Sequence, residues 1–217
     1  MSKYFVIFLS LSWLGVACQQ QSSTSADTLP YYQEATFTPN WFANETDVPA
    51  GFHRIGEFTL QNQLGETITR ANLEGKIVIA DFFFATCPGI CPKMTANMGT
   101  LQQAFAKEEA VVLLSHTVTP AQDSGAALAD YARIHDVQPG KWHLLTGERE
   151  QLYALGRKHY FVEEDLGLTK SPDEFIHTEN FVLLDKKQRI RGIYNGLNKA
   201  ALQQLKKDVS TLLGSKP

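Results

Sequence analysis

The chain has 217 residues, of which 43% are hydrophobic and 20% charged. That supports a single folded domain of roughly 150–170 residues with an appendage, and it excludes a disordered or membrane-filling chain. The formal net charge of −3, without a basic run or basic–aromatic interleaving, excludes a nucleic-acid binder.

The first eighteen residues read as a targeting signal. Lys3 supplies a positive charge, Tyr4–Val16 is almost wholly apolar, and Gly15-Val16-Ala17-Cys18 ends the run with small residues. The run is too short for a spanning helix of about 20 residues. Cys18 at the cleavage edge has the pattern of a bacterial lipoprotein signal, with Cys18 becoming the lipid-modified first residue. Residues 19–28, rich in Gln, Ser and Thr, bury no apolar surface and read as a flexible tether. The domain is therefore expected outside the cytoplasm, in the bacterial cell envelope, lipid-anchored and facing the periplasm or exterior, where disulfides are permitted.

Residues 29–55 interleave prolines with aromatics and read as an extended segment laid on the domain. Residues 56–214 form the domain proper. Phe58–Leu60 and Thr67–Thr69 flank a Gly-containing turn and predict a hairpin. Ile77–Phe84 is an apolar run of strand length, suited to a strand covered on both faces. Pro88 and Gly89 break it, and Pro92 has the fixed φ of a first-turn helix residue. Met94, Met98, Leu101 and Phe105 then mark one helix face, so the methionines read as core rather than copper ligands.

Val111–Val118 predicts the next buried strand, Gly125–His135 a helix, Trp142–Gly147 a short strand, and Glu150–His159 a third helix. Residues 160–169 read as a loop excursion. Phe181–Asp185 and Ile190–Tyr194 form a hairpin, and residues 199–213 an amphipathic helix. Strands alternating with helices imply a parallel core with right-handed crossovers, and the closing hairpin adds an antiparallel edge. This is an α/β, thioredoxin-like arrangement: a central mixed sheet flanked by helices, with an N-terminal β-hairpin extension. Its cysteines sit at the carboxyl end of the first core strand, where open α/β sheets place their sites.

Cys87 and Cys91 are four apart at a helix start, so one turn can bring both sulfurs to one side. Unpaired amides and the helix dipole there favour thiolate. The spacing is one residue wider than the usual Cys-x-x-Cys redox motif. With only these two cysteines in the mature domain, a four-cysteine zinc site within one chain is excluded. Zinc held by two cysteines and two histidines stays open, as does Cu(I) held by two cysteines and one histidine. Six histidines are candidates: His53, His116, His135, His143, His159 and His177. His177 lies in the loop feeding the hairpin strand, which in a thioredoxin-like fold lies against the cysteine turn.

Together these segments resemble the Sco/SenC family, membrane-tethered copper proteins of cytochrome c oxidase assembly. The matching stretches include Gly75–Phe84, Thr86-Cys87-Pro88-Gly89-Ile90-Cys91-Pro92-Lys93-Met94, Trp142–Gly147 and Ile176–Asp185. The resemblance covers roughly residues 50–213. It implies a thioredoxin-like fold, with Cys87, Cys91 and His177 as copper ligands. It also implies a metallochaperone role, loading the copper site of an exported oxidase subunit, with a membrane anchor and no catalytic turnover. Two departures remove carboxylates: Thr119 stands where the family typically has Asp, and Ile176 where it has Asp before the His. The alternative function is an extracytoplasmic thiol–disulfide oxidoreductase using Cys87 and Cys91 as its redox pair.

Overall fold

The computed structural model describes residues 28–87, 89–162 and 178–214. The signal, most of the tether, Pro88 and His177 lie outside the described residues, so their sequence readings stand as expectations.

Seven strands and four α-helices are described. The strands are β1 (Thr59–Gln61), β2 (Thr67–Thr69), β3 (Ile77–Phe83), β4 (Val111–Thr117), β5 (Trp142–Leu145), β6 (Asn180–Leu184) and β7 (Ile190–Asn195). The helices are α1 (Cys91–Ala104), α2 (Gly125–Ile134), α3 (Arg149–Ala154) and α4 (Lys199–Gly214). β1 and β2 pair as the expected hairpin, and the other five form one sheet in the order β5-β4-β3-β6-β7. β3, β4 and β5 run parallel, while β6 and β7 are antiparallel to their neighbours. The α/β arrangement with a mixed central sheet is as the sequence order implied.

β3 is the axis of the sheet, and all seven of its residues are buried. Successive side chains point to opposite faces. Ile77, Ile79 and Phe83 pack with Met94, Met98 and Leu101 of α1, Leu128 and Tyr131 of α2, and Leu205 and Val209 of α4. Val78, Ala80 and Phe82 pack on the other face with Leu60 and Ile68 of the hairpin and Leu152 and Tyr153 of α3. Both methionines of the α1 stripe are fully buried core, as expected. Every described residue of the two cores falls between Leu29 and Leu213, so the chain from Thr28 onward carries all of the described core.

The expected helix over Glu150–His159 divides in two. After α3 the chain widens into a π-helical turn over Leu155–His159. Hydrophobic spacing marks the buried stripe but not this change of pitch.

The segment before β1 lies on the domain. Tyr31 and Asn40 bridge each other in antiparallel fashion, and the Tyr32 amide donates to the Ile190 carbonyl. Arg191 donates from its guanidinium to the carbonyls of Leu29 and Pro30 and lies 3.6 Å over the Tyr31 ring. Tyr31, Phe42 and Phe52 meet edge to face. This strap is a built part of the fold.

Gly196, between β7 and α4, is a close approach. Its amide donates to the Glu179 carbonyl at 2.7 Å, and its carbonyl accepts from Asn97 of α1 at 2.6 Å. A Cβ there would stand 2.8 Å from the Phe181 ring and 2.9 Å from the Glu179 carbonyl. The carbonyl is backbone and cannot swing aside. Gly196→Ala is expected to lower stability by about 1–3 kcal/mol, read as a lower urea midpoint at unchanged slope.

Candidate metal centre

Because β3 and β4 are parallel, their carboxyl ends lie at one pole, and the chain turns there from Phe83 into α1. The Cys87 amide donates to the Phe84 carbonyl, closing the turn. α1 then begins at Cys91 with Pro92 in its first turn. Its N-cap position, Ile90, has no side-chain oxygen to receive the first amides. The sulfur of Cys87 fills that role. The Gly89 amide donates to Cys87 Sγ at 3.4 Å, and the amides of Ile90 and Cys91 also point to it.

Both cysteines are free thiols, Cys87 half-buried and Cys91 buried. Their acidities part company. Burial works against a charge on Cys87, but hydrogen bonds from the Cys91 thiol and from the amides of Cys91, Gly89 and Ile90 outweigh it, so Cys87 falls below the usual thiol range. Cys91 is pushed up to about 12, by burial first and by the negative character of Cys87 beside it. The pair is thus one half-buried sulfur disposed to be thiolate and one buried sulfur that keeps its proton.

Beneath the pair lies a polar layer that sequence reasoning did not assign. Asp81, Ser115 and Tyr131 sit on the α1 face of the sheet. Trp142 Nε1 donates to Ser115 Oγ at 2.9 Å, and Ser115 in turn hydrogen-bonds the Asp81 carboxyl. Tyr131 and Thr95 share a hydroxyl hydrogen bond of 2.7 Å. Asp81 Oδ1 has no hydrogen-bond partner among the described residues. Burial raises the Asp81 carboxyl to about 7. The signal for it was one carboxylate inside a run of strand residues that are otherwise apolar.

Asp123 fastens the neighbouring loop to the cysteine turn. Its Oδ2 accepts from the Ala85 amide at 3.2 Å, from Thr119 Oγ1 at 2.9 Å and from Thr117 Oγ1. Thr119, the residue standing in place of a family carboxylate, is therefore a donor to Asp123.

The five candidate histidines among the described residues are dispersed, and His177 lies outside those residues. His116 is fully buried on the opposite face, stacked on Phe82 at 4.8 Å, with no partner for Nε2 among the described residues. Burial lowers it to about 4. His143 meets the Asn62 amide at 3.1 Å, and His135 ends α2 with its ring 4.2 Å from Tyr131. His53 Nε2 lies 2.7 Å from the His159 carbonyl, and the Gly56 amide donates to His159 Nδ1. Among the described residues no group of three His, Cys, Asp or Glu side chains is arranged to hold a metal ion.

The SCO1/SenC family model matches residues 47–213. The chain belongs to the SCO1/SenC family. Solved structures agree. A SCO1/SenC family lipoprotein from Bacillus anthracis superposes with a TM-score of 0.64 at 26% identity, covering 77% of this chain and 98% of that one. BsSco, a member of the Sco family of cytochrome c oxidase assembly proteins in which a disulfide switch is identified, gives 0.63 at 28% identity, covering 75% and 95%. Bradyrhizobium japonicum ScoI with copper bound gives 0.56 at 25% identity, covering 70% and 97%. In this Sco domain, then, the cysteine turn and its polar underlayer sit on a scaffold shared with one protein solved with copper bound and another in which a disulfide switch is identified.

Two measurements check the electrostatics. Iodoacetamide should alkylate Cys87 with a pH midpoint below the usual thiol range and leave Cys91 unmodified in the native state. Cys91→Ala, by removing a donor, should move that midpoint upward. A midpoint that does not move means that Cys91 does not support the Cys87 thiolate.

The second concerns stability. His116 is depressed in the fold, so between pH 6.5 and about 4 the unfolded chain takes up a proton that the native chain refuses, and stability falls with pH by up to about 3 kcal/mol. Asp81 is raised, so its contribution is fully present below about pH 4 and is lost as pH rises through about 7, again by a few kcal/mol. The two slopes oppose each other. Relative to the parent chain, His116→Phe should gain stability on acidification from pH 6.5 to 4.5. Asp81→Asn should lose it over the same range. Urea unfolding across that range reads both signs.

Proposed function

We propose that this chain is an extracytoplasmic copper metallochaperone holding one copper ion through Cys87, Cys91 and His177. The observation that carries the reading is the reduced thiol pair at the carboxyl pole of the sheet, one sulfur already supported as thiolate by backbone amides. Two soft sulfur donors and one imidazole suit copper better than zinc, which would want a fourth ligand. The likeness to ScoI with copper bound supports the choice of metal.

The sheet register supports His177. β3 and β6 pair as Val78↔Leu184, Ile79↔Leu183 and Ala80↔Val182. Continuing that antiparallel count by four residues brings Phe84 opposite Thr178, the residue that follows His177 in sequence. The chain therefore enters β6 from the pole that carries the cysteines.

Copper is the cargo. Its uptake displaces the Cys91 proton, so binding releases acid to solution and weakens as pH falls. Delivery proceeds by ligand exchange: an acceptor's thiolates replace the donor's one at a time, and the vacated cysteines recover protons. A Cys87–Cys91 disulfide has no thiolate to offer and binds no copper. The acceptor we propose is an exported copper-accepting protein, a cytochrome c oxidase subunit, in line with the oxidase-assembly role of BsSco. We place the domain in the cell envelope, lipid-anchored at Cys18, in keeping with the Bacillus anthracis lipoprotein. No helix among the described residues is long and apolar enough to cross a membrane. On this reading the protein binds and hands over, without catalytic turnover.

The unequal thiols favour one alternative, a thiol–disulfide oxidoreductase. The Cys87 thiolate would attack an acceptor disulfide, forming a mixed disulfide and releasing one acceptor thiolate. Cys91, on losing its proton, would displace the second, leaving the Cys87–Cys91 disulfide and a reduced acceptor dithiol. His177 has no part in that step.

Copper titration of the reduced chain from Thr28 onward separates the two. The expected result is about one copper per chain, lost in Cys87→Ser and in Cys91→Ser and weakened by at least tenfold in His177→Ala. Copper bound equally well without His177 would overturn the three-ligand site. Disulfide reduction by His177→Ala at the parent rate, with copper absent from the parent chain, would establish the alternative.

A further inference from the structure

At the pole opposite the cysteines, the strap, the β6–β7 turn and the end of α4 enclose a cavity of about 260 Å³. The Gly75 amide donates to the Lys186 carbonyl, so this turn lies beside the start of β3, while the cysteine turn follows its end. Seven strand residues, about 23 Å, separate the two.

The cavity is charged in a particular way. Lys186, Lys187, Arg189 and Arg191 line it, against Glu45 and Asp185. Four cations against two anions leave a local excess of two positive charges on a chain whose formal charge is −3. Arg189 is committed to Asp185 and Glu45, and Arg191 to the carbonyls of Leu29 and Pro30. These bonds fix the guanidinium groups in place. Lys187 reaches Glu45 at 3.1 Å yet keeps 61% of its side chain exposed, so its charge still acts on whatever approaches.

Trp41 directly precedes Phe42, which lines the cavity and packs on Tyr31, yet Trp41 itself is 62% exposed. An exposed Trp on a strap that walls a lysine-bearing cavity brings to one face the two side-chain types that settle at a bilayer interface, the indole at headgroup depth and the ammonium on lipid phosphate. The tether enters here as well. Thr28 lines the cavity and lies ten positions along the chain from Cys18. Even fully extended, that stretch holds this pole within about 35 Å of an anchor at Cys18.

We propose that the face formed by Trp41, Lys186, Lys187 and the Arg189–Arg191 cavity docks on an anionic phospholipid bilayer. Docking this pole turns the Cys87–Cys91 pole away from the membrane, toward a partner. The orientation rests on the proposed lipid anchor and thiol chemistry; the docking itself needs neither.

The test uses the chain from Thr28 onward, which lacks the anchor. Its tryptophans are Trp41 and Trp142, and Trp142 is fully buried, so Trp41 reports alone. Vesicles of phosphatidylcholine with and without one-third phosphatidylglycerol are titrated at low salt. The expected result is at least tenfold tighter binding to the anionic vesicles, a blue shift of Trp41 emission, and its quenching by brominated lipid. The double substitution Lys186→Gln, Lys187→Gln should weaken binding about 30-fold, at about 1 kcal/mol for each lysine. Trp41→Phe should bind more weakly and show no shift. Equal binding to both vesicles, unchanged Trp41 emission, or binding by the lysine variant like the parent's would overturn the proposal. So would release of the chain by inorganic phosphate at constant ionic strength, which marks a free-anion site. Copper titration of the same lysine variant should be unchanged. A failure of docking and a failure of copper binding are therefore read separately.

Discussion

A helix that begins without a side-chain oxygen over its first amides must satisfy them elsewhere, and here it does so with sulfur. The amides of Gly89, Ile90 and Cys91 converge on Cys87 Sγ. Pro92, which has no amide to satisfy, reduces the number of donors left over. The cap and the reactive group are therefore the same atom. Each amide that stabilises the start of α1 also stabilises negative charge on Cys87, and the positive end of the helix dipole adds to it. Any partner that takes this sulfur, whether a metal ion or Cys91 in a disulfide, also alters the cap of α1. The state of the site and the start of the helix are physically linked.

That arrangement requires a fixed platform, and β3 supplies it. Seven buried residues in register with both β4 and β6 leave the strand little freedom to shift. The two faces of β3 are then used differently. The face toward α1 carries Asp81 under the thiols, tied through Ser115 to Trp142. The opposite face carries Phe82 stacked on a neutral, fully buried His116. A buried carboxyl without a cation costs stability as it ionises, and a buried imidazole costs stability as it protonates. The chain carries one of each on adjacent strands. Their opposing pH slopes offset each other between pH 4 and 6.5.

Much of this was legible before any coordinates. The apolar run of β3, the stripe of Met94, Met98 and Leu101, and the alternation of strands and helices follow from periodicity, which burial imposes directly. The pole of the cysteines followed from topology. Other features were not legible, because they depend on contacts between residues distant in sequence. Nothing local tells that Asp81 faces Ser115 rather than a cation, that Asp123 reaches back to Ala85, or that His53 meets His159. The π-helical turn at Leu155–His159 escaped for a related reason. A widened turn keeps the apolar spacing nearly intact, so hydrophobicity alone does not reveal it.

The two poles of the molecule are built from different materials, and the difference fits their work. The thiol pole is backbone-rich: amides, a short turn and one threonine-bound carboxylate hold the sulfurs while leaving Cys87 open to approach. The strap pole is held by long side chains, with Arg189 and Arg191 clasping Tyr31 and the carbonyls of the strap. Strain entering through the tether would first meet this clasp, which is locked to β7 at the far side of the sheet. To reach the thiols it would have to cross a fully buried strand. A rigid sheet between the attachment and the thiols lets the domain be pulled or pressed at one end without disturbing the donor geometry at the other. On the tethered, partner-meeting role proposed above, that mechanical separation matters as much as the choice of donor atoms.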